Sequence, residues 1–318
     1  MKNLVFLIQL FWFQLALFYS TVSFSQSGLL TDNLIPPPSS LPVDPLGLPS
    51  NPPLGGVFKI PVVVHIIHDG GAENISDEQV VDGINYLNEL FRGAYSGVDT
   101  EIEFFLANKD PNGNCTGGIN RIQSTLTNAL SPYTASNDLA LKNLSRWPSD
   151  RYLNIWVVRC ISGSSGSDCL LDPSSGYLLG YSYAPCFVSN YLTNPPTVSC
   201  VGVTPDYDGV VVVNECVGRT GTALPNLNGI LAHEIGHWLN LQHIFVPIGV
   251  VLPPGNTWTH CHSDSEGLVQ GDFVDDTPPQ EVFFGGCVNN IGRNTCTLDN
   301  SLDIADNIMD YIAAAEWL

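Results

Sequence analysis

Residues 229–243 read Gly-Ile-Leu-Ala-His-Glu-Ile-Gly-His-Trp-Leu-Asn-Leu-Gln-His, and the spacing of the three histidines decides what the rest of the chain has to build. His233 and His237 are four apart, so on a helix both imidazoles project from one face at a separation that suits a single zinc ion. Glu234 lies beside that face, where a carboxylate can serve as general base to a water next to the metal. His243 cannot join them on a continuing helix, because six more residues turn it through about 600°. The helix must therefore stop and turn. Asn240 is the expected place, since after Gly it is the residue that best tolerates the left-handed conformation of a helix end. Leu231, Ile235, Trp238 and Leu239 supply an apolar side for packing. A buried helix that merely carries histidines would leave the opposite side without a purpose.

Outward from this stretch, the composition narrows the setting. The 318 residues carry 31 acidic against 11 basic side chains, a formal net charge of −20. Such a surface repels nucleic acid and anionic membranes, so neither is an expected partner. Lys2, the apolar run from Leu4 to Phe18 broken only by Gln9 and Gln14, and Ser23-Phe24-Ser25 read as an export signal over 1–25. The run is long, and an uncleaved membrane anchor is the alternative. Residues 26–56, with Pro36-Pro37-Pro38 and Pro52-Pro53, form a linker or pro-segment that cannot build a core. All nine cysteines follow residue 114. In an exported chain they are expected in disulfides, with the odd number leaving one thiol over.

Order is expected from Val57. Lys59–His68 is a near-continuous β-branched run, a strand buried on both faces. His65 and His68 fall on opposite faces of it and read as structural. Ser76-Asp77-Glu78-Gln79 is a capping box opening a helix with Val80, Ile84, Leu87, Leu90 and Phe91 inward. Further strands are expected at Glu101–Ala107, Tyr152–Val158, Leu178–Tyr183 and Asp208–Val213. A turn is expected at Asp110–Asn114, a helix over Asn137–Arg146, and the histidine helix from about Asn226. Strands alternating with helices predict an α/β layer with mostly parallel pairing.

With these residues in view, the stretch from Lys59 to Tyr311 resembles the pappalysin (cytophagalysin-like, M43-type) family of metzincin zinc metalloproteases. The matching segments are His243-Ile244-Phe245, Gly271–Gln280, Asn307-Ile308-Met309-Asp310-Tyr311, Asp110–Asn114 and Leu153–Trp156. The resemblance implies an α/β (α+β) fold. A twisted five-stranded, mostly parallel sheet would carry a backing helix and the active-site helix over 57–243. A small irregular subdomain would follow over 244–318. It implies a secreted endopeptidase in which His233, His237 and His243 hold Zn²⁺ and Glu234 is the general base. Met309 would form an apolar floor beneath the histidines and Asn240 the turn. Tyr311 would donate a hydrogen bond to the oxyanion, with a packed core tyrosine the alternative. Asp272, Thr277 and the Val274 carbonyl would bind calcium, against a solvated acidic loop. Leu178–Tyr183 would be an exposed edge strand for an extended peptide.

The last residues, Ile312–Leu318, depart from the family pattern, so the C-terminal subdomain is expected to be shortened. One of Cys261, Cys287 and Cys296, with Cys287 foremost, is then expected without a partner. The same departure removes the acidic residues on which some relatives' preference for basic side chains would rest, so that preference is not an expectation here. The competing readings are a secreted binding module with a structural zinc and no turnover, and a zinc amidase acting on cell-wall material. A protein or peptide substrate is the expected partner; nothing in the sequence sets the oligomeric state.

Overall fold

The computed structural model describes residues 56–95, 98–128, 135–161, 178–184, 186–190, 197–200, 203–245, 277, 278, 280, 292–296, 301–304 and 307–310. The export signal, the proline-rich segment, Asp272, Val274 and Tyr311 lie outside the described residues. Among the described residues no helix is long and apolar enough to cross a membrane.

The central strand β1 spans Phe58–His68, and Val62 to Ile67 are all within 2% of complete burial. Such burial on both faces is what its unbroken apolar run requires. It pairs in parallel with β2 (Ile102–Leu106), with β3 (Ile119–Gln123) further along, and with β4 (Leu153–Val158) on the other side. β4 continues in parallel to β8 (Val210–Val213), and β8 pairs antiparallel with β5 (Gly180–Ser182). The order is β2-β1-β4-β8-β5 with β3 beside β1, a six-stranded sheet. The five expected strands are all present. β3 is the addition, a short strand that shares the long β1 with β2. A separate antiparallel pair, β6 (Cys186–Asn190) and β7 (Thr197–Cys200), was also not expected.

Helix α1 spans Asp77–Phe91 and begins at Ser76, whose side chain accepts from the Gln79 N–H at 3.2 Å. Only half of the capping box forms. The Gln79 amide turns away and donates to the carbonyls of Asn214 and Val217, at 3.2 and 3.1 Å. It thereby ties α1 to the segment that leads from β8 to the histidine helix. Helix α2 spans Ala135–Lys142, and α3 spans Ile230–Trp238. The last begins four residues later than expected, because residues 225–229 form turns ahead of it.

Two expectations are corrected. The strand at Leu178–Tyr183 is an edge strand by pairing, but it is not exposed. Leu178, Tyr181, Ser182 and Tyr183 are all within 3% of complete burial. α3 covers one of its faces and the side chains of α2 fill the other. The cysteines also differ from the expected pattern. Cys160 and Cys296 are disulfide-bonded, whereas Cys115 and Cys216 are free thiols. Cys216 is fully buried in the main core, where an apolar surrounding makes a thiol a small hydrophobe.

Candidate metal centre and active site

Helix α3 ends in a Schellman motif, and that motif delivers the third histidine. Leu239 is the last residue before the turn, and Asn240 takes φ +75°. The Asn240 N–H donates to the His237 carbonyl at 2.8 Å and the Leu241 N–H to the Gly236 carbonyl at 2.9 Å. These two bonds satisfy carbonyls that the helix end would otherwise leave open. The chain then reverses so that His243 returns to the face carrying His233 and His237. Its Nε2 lies 3.2 Å from that of His233 and 3.0 Å from that of His237. Imidazole nitrogens about 2.0–2.1 Å from a tetrahedral zinc lie roughly 3.3 Å apart. The cluster therefore fits that ion, and all three imidazoles are buried.

What points the nitrogens inward is the other side of each ring. His233 Nδ1–H donates to the carbonyl of Ile308 at 2.6 Å, and His237 Nδ1–H to the carbonyl of Leu241 at 2.8 Å. A carbonyl only accepts, so each bond fixes the tautomer in which Nε2 keeps its lone pair. The His243 ring stacks on Phe245, with centroids 4.9 Å apart. Sequence reading does not reveal the Ile308 and Leu241 carbonyls, because backbone acceptors carry no residue signature.

Met309 is buried, and it packs with Ile244, Phe245 and Ile308. A Cβ on Gly236 would overlap its sulfur. Glycine at 236, between the two helical histidines, is therefore what lets the methionine sit directly beneath the helix. The turn holding Met309 is made by Asn307, whose side chain accepts from the Met309 N–H at 2.8 Å and whose carbonyl accepts from the Asp310 N–H at 2.9 Å. Asp310 is fully buried and accepts from Gln280 Nε2 at 2.9 Å.

Glu234 is 2% exposed and rests against β5. A Cβ added to Gly180 would lie 2.7 Å from its Cγ and 2.9 Å from its Oε1. Gly180 thus makes room for the carboxylate. The available signal was an isolated glycine in an otherwise apolar strand, which marks a close backbone approach. His65 stays away from the cluster, as expected of a structural histidine. Thr277 is described and partly buried.

A mostly parallel α/β sheet with two histidines on α3 and a third returned to them by the turn that follows defines a metzincin-type zinc metalloendopeptidase. No protein-family model matches the chain. It is similar to mature mirolysin of Tannerella forsythia, solved in complex with a cleaved peptide, at 30% identity and a TM-score of 0.59. That likeness covers 82% of this chain and 86% of that one. Mirolysin in complex with compound 9 gives 31% identity and a TM-score of 0.58, over 82% of this chain and 87% of that one. An extracellular metalloprotease of Aspergillus oryzae is 28% identical over 79% of this chain and 70% of its own length. One from Colletotrichum graminicola is 31% identical, but the chain spans only 50% of it. The chain belongs to the M43-type metzincin zinc metalloproteases.

Proposed function

We infer that this chain is a pappalysin-like endopeptidase, exported from the cell, that cuts polypeptides at the face where α3 meets β5. The observation that carries this is the meeting of three buried imidazole Nε2 atoms, two of them from the helix that also carries the buried Glu234. His233, His237 and His243 would hold the zinc, which supplies Lewis acidity to a water and to the scissile carbonyl. Glu234 takes a proton from the attacking water and returns it to the leaving amine, so one buried carboxylate serves as base and then acid. Gly180 leaves it space without letting it drift. The Ile308 and Leu241 carbonyls keep the imidazoles in one tautomer through turnover.

The complex of mirolysin with a cleaved peptide supports a peptide substrate, and the names of the fungal relatives support export. Residues 244–318 form the lower side of the cleft in this reading. Tyr311 donates to the oxyanion, and Asp272, Val274 and Thr277 hold calcium.

The test is cleavage of casein or gelatin by the wild type and by Glu234→Ala, with zinc and calcium counted in both. Loss of about 10²–10⁴-fold in kcat with zinc retained is the expected result. A wild-type protein that binds zinc yet cuts no peptide would instead mark a binding module with a structural metal.

A further inference from the structure

The face of β5 opposite Glu234 carries a buried ionic cluster that the mechanism does not use. Side chains alternate along a strand, so Gly180 meets Glu234 while Tyr181 points the other way, as does Tyr183 just beyond the strand. Both tyrosine hydroxyls donate to one carboxylate on α2. Tyr181 reaches Asp138 Oδ1 at 2.5 Å, and Tyr183 reaches Oδ2 at 2.8 Å. Lys142, one helical turn on, lies 3.3 Å from Oδ1, and both charged side chains are fully buried. Its ammonium also donates to the Tyr207 carbonyl at 2.6 Å and sits 4.6 Å above the Tyr183 ring and 5.4 Å above that of Tyr181. Next to Tyr207, the half-buried Asp208 accepts from Trp238 Nε1 at 2.9 Å, and Trp238 is the last residue of α3.

Stability is a weak explanation for such a cluster. Burying two ions costs several kcal/mol of solvation, and well-packed apolar residues often replace a buried pair with no loss. Geometry is a better one. Asp138 has an acceptor for each tyrosine, and the two bonds fix β5 against α2 in one register and height. On the other face there is no slack, since Glu234 already lies against the Gly180 backbone. A strand displaced by a few tenths of an ångström would take the carboxylate's resting surface with it. The Asp208–Trp238 bond holds the end of α3 near the same lysine, so the strand and the helix that meet at Glu234 are referenced to one buried point.

We propose that Asp138 and Lys142 are positioning residues of the active site: through Tyr181 and Tyr183 they fix β5, and β5 fixes Glu234. This rests on the reading of Glu234 as the general base. The signal is tertiary, since Asp138 and Lys142 have the spacing of an ordinary helical surface pair.

The experiment is a double-mutant cycle on peptide cleavage. Tyr181→Phe/Tyr183→Phe removes both hydroxyls and almost no volume. It should keep about one zinc per chain, leave KM within about twofold and lower kcat by about tenfold or more. Restoring one hydroxyl, as in Tyr183→Phe alone, should recover part of the rate. In a Glu234→Asp background, where the shortened carboxylate no longer reaches Gly180, the same pair should have almost no further effect. An unchanged kcat with a lowered Tm would overturn the proposal, as would loss of zinc, or a tenfold effect that persists with Glu234→Asp. If the double variant does not fold, Tyr183→Phe is read in its place by the same criteria. Were Glu234→Ala to retain full activity, the reading of the base would fall on its own, whatever the tyrosines show.

Discussion

His65 and the three histidines of the candidate metal centre are equally buried, yet their nitrogens are arranged in opposite ways. His65 is fully buried in β1, and its Nε2–H donates to Asn154 Oδ1 at 2.9 Å. Its ring stacks on Trp156 with centroids 5.2 Å apart, and its Nδ1 meets no partner. Asn154 is used up in turn, accepting from the Trp147 N–H and donating to the Trp147 carbonyl, at 2.8 and 3.0 Å. Desolvation lowers the His65 pKa to about 4, so the ring is a neutral packing element. At His233 and His237 the arrangement is reversed. Nδ1 is spent on a backbone carbonyl, and Nε2 is left to converge with its neighbours. Burial does not make a histidine a ligand. Which nitrogen the backbone occupies does.

The comparison can be broken or sharpened by substitution. The largest effect is expected from His237→Ala, which should abolish bound zinc and take peptide cleavage to background. Metal analysis beside a casein assay measures both, and an active, zinc-loaded variant would contradict the ligand set. Gly236→Ala comes next. Its Cβ meets the Met309 sulfur, so the helix or the turn must shift, and zinc affinity should fall by about 10–100-fold. Competition with a fluorescent chelator reads that change directly.

His65→Phe should be the mildest, with zinc content and kcat unchanged and a stability loss of about 1–3 kcal/mol at neutral pH. Its pH dependence is the sharper readout. The folded pKa lies below the unfolded value of 6.5, so the unfolded state binds the extra proton. The contribution of His65 is then full above about pH 6.5, and falls as pH drops toward 4. The difference corresponds to about 3 kcal/mol. Denaturant titrations at pH 7 and pH 4 should therefore show the variant's deficit vanish or reverse at the lower pH. A constant deficit would mean that His65 is charged in the fold.

Legibility in the sequence follows the same division. The histidine face of α3 and the turn at Asn240 were readable because helical spacing and left-handed backbone are local properties. Met309 was readable through its surrounding Asn-Ile-Met-Asp-Tyr and its rarity. The strand set was mostly readable from β-branched runs, but β3 was not. Its Ile-Asn-Arg-Ile-Gln alternates too weakly to stand out, and it exists because β1 is long enough to serve two neighbours. The exposure expected of β5 fails for a related reason. An edge strand is ordinarily open, and only the docking of α2 and α3 on its two faces buries it. The free thiols at Cys115 and Cys216 were equally hidden, since pairing depends on distances that no spacing encodes.

By itself, the sequence determined which groups meet at the proposed centre. Three imidazoles, one carboxylate and a helix forced to end at Asn240 are consequences of residue type and of the 3.6-residue period. The tertiary structure alone decided how that chemistry is held. The carbonyls of Ile308 and Leu241 that choose the tautomer, the space at Gly180 and Gly236, and the Asp138–Lys142 cluster behind β5 all join segments far apart in the chain. Their contacts depend on how whole elements dock, and packing of that kind leaves no periodic trace for a single sequence to carry.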